Sequence, residues 1–153
     1  MIPNFRVVIE GRVYTSAQPY LPSHWDYLKS IGIKTILKLD YAAEGCDQGA
    51  RDVGIDVIET PMPPSSLWGA IFGAPDEGQI AAALGDMCDE SNWPLLWHCH
   101  YGNDRTGLLR AMFRVVKQGW STEDARKEML RDGFHVELID LDRAWWQFCE
   151  NQK

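Results

Sequence analysis

Residues 97–109 read WHCHYGNDRTGLL. Cys99 is the one residue there that can act as a strong nucleophile. Gly102, Arg105 and Thr106 follow at spacings that give it a setting. An apolar run, PLLWHC, precedes the cysteine, and RTGLLRAMFRVVKQG follows as a helical pattern ended by Gly119. A tight loop between a strand and a helix turns its backbone N–H groups toward one centre, and the helix adds the positive end of its dipole. The result is an anion seat that needs no lysine. Gly102 allows a positive φ and a close approach to a ligand. Arg105 supplies a planar fork that fits two oxygens of a phosphate. A thiol in such a seat is expected to ionise near neutral pH and to attack phosphorus. The arginine and amides would stabilise the charge of phosphoryl transfer. The Thr106 hydroxyl would lie within reach of the sulfur.

Other chemistries for the same residues are weaker. His98, Cys99 and His100 as metal ligands would have to converge, but adjacent residues of a strand face opposite sides. No metal and no cofactor are expected. A buried structural thiol does not explain the arginine, threonine and glycine around Cys99. The other cysteines, Cys46, Cys88 and Cys149, form no C-x-x-C pair. In a reducing compartment all four are expected to be thiols.

The elements around the loop follow from local signals. FRVVIEGRVYTS reads as a hairpin about Glu10-Gly11. A helix is expected over 23–31, with Ser23 as N-cap and Gly32 as stop. KTILKLD and GIDVIETPM are short strands, and 41–53 is a polar loop with room for a helical turn. Residues 61–75 form a long proline- and glycine-rich stretch in which Trp68 and Phe72 serve as anchors or as faces for an aryl group. Loops of that length are commonly functional. A helix follows at about 76–90, then one from Ser121, whose spacing to Asp124 is that of a capping box. A last helix, about 137–150, carries Leu138, Leu141, Trp145 and Phe148 on one stripe. Alternating strands and helices predict a three-layer α/β fold. Its central, mainly parallel sheet has four to five strands flanked by helices. WHCHYGNDRTG then lies at the carboxyl end of a strand, where such sheets bind ligands.

The chain has 153 residues, 45% of them hydrophobic, and a net charge of −7. That fits one domain spanning 1–153. The acidic balance argues against nucleic-acid and membrane-surface partners, which call for a basic face. The opening residues lack the pattern of a signal peptide, and no apolar run reaches membrane-spanning length, so a cytoplasmic location is expected.

His98-Cys99-x5-Arg105-Thr106, with Gly102 inside, resembles the signature of the cysteine-dependent protein tyrosine phosphatase superfamily. The form HCxxGxDRTG and the short chain are most similar to compact, bacterial dual-specificity-like phosphatases. VYTSAQP resembles the YRSAQP stretch of that group, with Thr15 where arginine is usual. GWSTEDARKEM resembles the helix after the signature helix. The resemblance implies a phosphatase-type fold and a phosphomonoester hydrolase acting through phosphocysteine on a phosphorylated protein or a small phosphomonoester. Cys99 would be the nucleophile, Arg105 the phosphate clamp and Thr106 the aid to phosphocysteine hydrolysis. His98 would order the loop from behind. His100, Tyr101, Gly102, Asn103, Asp104 and Arg105 would present their amides to the phosphate.

Such enzymes take the leaving group's proton from an aspartate on a separate loop, worth roughly 10²–10⁴-fold in rate. No WPD triplet is present. Asp76 is the first candidate and Glu77 its neighbour; both also suit the start of a helix. Asp104 is the third, although a carboxylate facing a phosphate would repel it, so it is expected to turn and bond nearby loop groups. His100 and Asn103, where lipid-directed relatives often carry lysine, weaken a polyphosphoinositide substrate. A phosphate-binding module without catalysis remains an alternative, as does a phosphatase for a non-protein phosphate. A rhodanese-like sulfurtransferase lacks the Arg-Thr-Gly ending.

Overall fold

The computed structural model describes residues 1–63, 75 and 77–153. Five strands form one sheet in the order β1-β2-β5-β3-β4. They are β1 (Arg6–Ile9), β2 (Val13–Ser16), β3 (Thr35–Lys38), β4 (Asp56–Glu59) and β5 (Leu95–His98). The β1–β2 hairpin is antiparallel, and β2, β5, β3 and β4 run parallel. The α-helices among the described residues are α1 (Pro22–Ser30), α2 (Gln48–Asp52), α3 (Glu77–Cys88), α4 (Arg105–Gln118), α5 (Thr122–Arg131) and α6 (Ile139–Asn151). The expected three-layer α/β architecture with a mainly parallel sheet is present.

Alternation along the central strands explains the layers. Tyr14, Ile36 and Leu96 join Trp25 and Leu28 of α1 and Ala50 of α2 in one apolar cluster. Val13, Leu37, Leu95 and Trp97 join residues of α3, α4, α5 and α6 in the other. A strand buried on both faces reads as an unbroken apolar run, which is why PLLWHC shows no polar alternation. On α6, Leu141 and Trp145 are fully buried, and Leu138 and Phe148 pack against the same cluster. None of the described helices is long and apolar enough to cross a membrane.

Register decides what the sheet presents. Ser16 of β2, His98 of β5 and Lys38 of β3 lie in one row. The chain therefore leaves three neighbouring strands at the same edge, toward Gln18, Cys99 and Asp40.

Two local expectations change. The N-cap of α1 is Leu21, not Ser23. The imidazole of His24 does the capping work, since Nδ1 accepts from Tyr20 N at 3.1 Å and Leu21 N at 3.2 Å. Segment 41–53 is more ordered than a loop with one turn: a 3₁₀ turn, Ala42–Glu44, precedes α2. Further on, Gly119 ends α4 at φ 72°, and Ser121 Oγ accepts from Asp124 N at 3.1 Å. Trp68, Phe72 and Asp76 lie outside the described residues.

Candidate active site

Cys99 emerges from the central strand and is 2% exposed. Its Sγ accepts a hydrogen bond from Gly102 N at 3.3 Å. Gly102 holds φ at +81°, and a Cβ there would come within 2.6 Å of Ala17 N and 2.7 Å of Ser16 C. Both the backbone conformation and the space at 102 therefore demand glycine. The loop ends on the first turn of α4, whose leading amides have no partner within the helix.

Arg105 is 3% exposed and fully engaged on one side. Its NH1 donates to Glu44 Oε2 at 2.9 Å and to Met62 O at 3.1 Å, and its NH2 donates to Glu44 Oε1 at 2.7 Å. Among the described residues, Nε and the second NH2 hydrogen have no partner, so one complete two-donor edge is left for a ligand. Burial works against the guanidinium charge. The hydrogen bond to Glu44 and the charges at Cys99, Glu44 and Asp40 outweigh it and raise the pKa. Burial likewise opposes ionisation of Glu44, but hydrogen bonds from Arg105 and from the Tyr41 amide hold its carboxyl below the ordinary value. His100 adds a tie, its Nδ1 donating to Glu44 O at 3.1 Å.

Behind the loop lies a buried polar cluster. His98 Nε2 donates to Asp47 Oδ2 at 2.6 Å, and His98 Nδ1 stands 3.3 Å from Cys99 O. Gln18 Nε2 donates to Asp47 Oδ1 at 2.6 Å. Lys38, 1% exposed, donates to Gln18 Oε1 at 2.8 Å and Asp40 Oδ1 at 2.7 Å, with Asp47 Oδ1 at 3.5 Å. Buried charges are tolerable when paired and hydrogen-bonded in this way. Burial pushes the Asp47 carboxyl up, but bonds from His98 and Gln18 and the charge of Lys38 hold it low.

A buried sulfur receiving an amide, a fixed guanidinium beside it and a helix N-terminus form a nucleophile in an oxyanion seat. Residues 1–139 match the tyrosine phosphatase family. The chain belongs to that family. The dual specificity protein phosphatase TpbA of Pseudomonas aeruginosa strain UCBPP-PA14 is 43% identical over 60 residues, which cover 39% of this chain and 28% of that protein. The chain thus matches under a third of that relative's length. The inositol diphosphatase DSP4 of Arabidopsis thaliana is 30% identical over 149 residues, covering 90% of this chain and 72% of that one. The crystal structure of P. aeruginosa TpbA superposes with a TM-score of 0.76 at 24% identity, covering 95% of this chain and 84% of that one. The superposition shows a shared fold.

The remaining expected site residues fall out as follows in this family member. Thr106 is fully buried, but its Oγ1 has no partner among the described residues, so the bond to sulfur is not formed. Asp104 turns outward and bonds groups of a neighbouring loop, the one between α5 and α6. Its carboxylate accepts from the amide of His135 at 2.8 Å and from His135 Nδ1 at 3.0 Å. That bond and the aspartate charge raise the pKa of His135. Tyr101 is 67% exposed, edge-on to His100. Asn103 packs against Gly133, whose φ is +101°. Glu77 accepts from Gln147 Nε2 of α6 at 2.7 Å, so its carboxylate is already engaged there. At position 15, where the resembling group carries arginine, Thr15 instead accepts from Arg110 of α4 at 3.1 Å. No group of three or more His, Cys, Asp or Glu among the described residues could hold a metal ion. Spacing gave no sign of Glu44, Asp47 or His135. Lys38 and Asp40 did leave a mark: two charges at alternate positions at and just beyond the end of a short, mostly apolar strand.

Proposed function

We propose that this protein is a phosphoester hydrolase that works through a phosphocysteine, most simply a tyrosine or dual-specificity protein phosphatase. The observation that carries the reading is the juxtaposition of Cys99 Sγ, the Gly102 amide that bonds it and an Arg105 fixed by Glu44 with one two-donor edge open. In the first step Sγ attacks phosphorus in line, the S–P bond forms, and the P–O bond to the leaving group breaks. Amides of residues 100–105 and the open edge of Arg105 take up the charge on the three equatorial oxygens. Asp76 gives the leaving oxygen its proton. In the second step water attacks phosphorus and gives a proton back to the Asp76 carboxylate, the S–P bond breaks, inorganic phosphate departs and the thiolate returns. The buried Thr106 hydroxyl, with no other partner among the described residues, is free to bond the departing sulfur.

A second reading, a non-protein phosphate substrate, is supported by the inositol diphosphatase relative. His100 and Asn103 in place of lysine favour a substrate with few phosphates.

The test is hydrolysis of p-nitrophenyl phosphate, with and without vanadate, beside Cys99→Ser and Asp76→Asn. The wild type is expected to turn over and to be inhibited by vanadate, and Cys99→Ser to be inactive. Asp76→Asn is expected to slow an alkyl phosphate by about 10²-fold or more while affecting the nitrophenyl ester much less, because a good leaving group needs little protonation. Turnover that survives in Cys99→Ser rules out the mechanism, and equal effects on both esters rule out Asp76.

A further inference from the structure

The seat works only if its carbonyl oxygens face away from the anion. A trans peptide holds C=O and N–H antiparallel, so a donor that binds the oxygen from outside turns the next amide inward. Three consecutive loop carbonyls have such donors. Gln18 N donates to His100 O at 3.0 Å. Asn4 Nδ2 donates to Tyr101 O at 2.7 Å, and Arg6 NH1 donates to Gly102 O at 3.3 Å. The three amides thereby turned are those of Tyr101, Gly102 and Asn103. One of them can be checked directly, because the Gly102 amide does point inward, onto Cys99 Sγ.

Two of the three donors are side chains of the first six residues, which the catalytic reading leaves unused. Asn4 is the one non-glycine residue with positive φ among the described residues, at 53°. Strain of that kind persists where the surroundings impose it and gathers at functional sites. The segment is anchored independently of these bonds. Ile2 is buried, Phe5 stacks on Tyr14 at 5.5 Å, and Pro3 O accepts from Ala17 N at 2.9 Å. Arg6 NH2 also donates to Asp132 O at 3.1 Å.

We propose that Asn4 and Arg6 are positioning residues: from outside the loop they hold the Tyr101 and Gly102 carbonyls and so aim the Gly102 and Asn103 amides at the substrate's phosphate oxygens. The inference rests on the phosphatase reading. Neither residue touches substrate. Their effect falls on oxyanion affinity and on kcat/KM together, because the amides serve both the bound phosphate and the transition state.

Asn4→Gly is the informative variant. Glycine adopts φ near 53° without strain, so the backbone is kept and only the donor is lost. Asn4→Asp keeps the shape and sets a carboxylate against the Tyr101 carbonyl. Vanadate and inorganic phosphate affinity and the kinetics of p-nitrophenyl phosphate would be measured at a temperature where circular dichroism shows every variant folded. Loss of one hydrogen bond predicts a fall of about three- to tenfold in oxyanion affinity and in kcat/KM for Asn4→Gly, and a larger fall for Asn4→Asp. The Tm of Asn4→Gly should stay near wild type. An Asn4→Gly protein with wild-type vanadate affinity and kcat/KM overturns the clamp while leaving the phosphatase reading intact. A wild type that neither binds vanadate nor turns over the ester overturns both.

Discussion

At the scale of single residues, Glu44 has the most to say about Arg105. A carboxylate beside a phosphate seat opposes the ligand by charge, yet this one occupies the outer edge of the guanidinium and leaves the Nε–NH2 edge free. The two effects separate kinetically. In Glu44→Gln the repulsion is lost, which helps any bound phosphate. The orientation of Arg105 is lost as well, and that matters most when charge develops in the transition state. The expected result is a kcat lowered about tenfold or more with a KM that does not rise, measured by steady-state turnover of p-nitrophenyl phosphate. An unchanged kcat would mean that Met62 O and the helix suffice to hold the arginine. Cys99, Gly102 and Arg105 were legible because their chemistry lies within seven consecutive residues. Glu44 was not, because its partner is 61 positions away and nothing in YAAEGCDQGA marks it as more than a polar turn.

At the scale of elements, the short stretch from the 3₁₀ turn through the start of α2 gives the site two of its carboxylates. Strands β3 and β5 were readable as short apolar runs, since burial on both faces leaves a compositional trace, and β2 as the second strand of a hairpin about Glu10-Gly11. The 41–53 segment left no such trace. Its order comes from Asp47 reaching His98 and Gln18 and from Glu44 reaching Arg105, contacts that local spacing does not encode. His24 eluded the capping rules for a similar reason, because an imidazole does there what a serine commonly does. Asp47→Asn tests how much this element depends on its polar anchor. Both carboxylate oxygens of Asp47 accept, so an amide must turn its NH2 toward a donor, and the buried Lys38 keeps Asp40 as its only carboxylate. Leaving such groups unmatched costs about 2–4 kcal/mol. For a chain of this size that corresponds to a Tm lower by roughly 5–15 °C. Thermal unfolding followed by circular dichroism would show it. A shift within about 2 °C would mean that the cluster repacks freely.

At the scale of the whole molecule, the buried and paired titratable groups set how stability varies with pH, and their signs can be followed one at a time. His24 is buried, and its Nδ1 accepts two backbone amides. Burial, then the nearby N-terminal ammonium, lower its pKa from the ordinary 6.5. Below pH 6.5 the unfolded chain therefore binds the proton that the folded chain refuses, and stability falls with pH. Glu44 and Asp47 are also held low, from ordinary values of 4.5 and 3.8. Their contribution is complete above those values and is lost as pH drops through the depressed ones. His135 has the opposite sign: raised from 6.5, its pairing with Asp104 is fully present below 6.5 and is lost as pH rises through the folded value. That pair is exposed and so contributes little. The profile of Tm against pH is therefore expected to be lopsided. It should decline gently on the alkaline side and fall on the acid side in two stages, a first below pH 6.5 and a steeper one below pH 4.5. Scanning calorimetry from pH 8 to pH 3 would trace it. His24→Asn, which keeps an acceptor but cannot titrate, should erase the first acid stage and leave the second. If the variant keeps the wild-type slope between pH 6.5 and 4.5, the first stage does not come from the imidazole that caps α1.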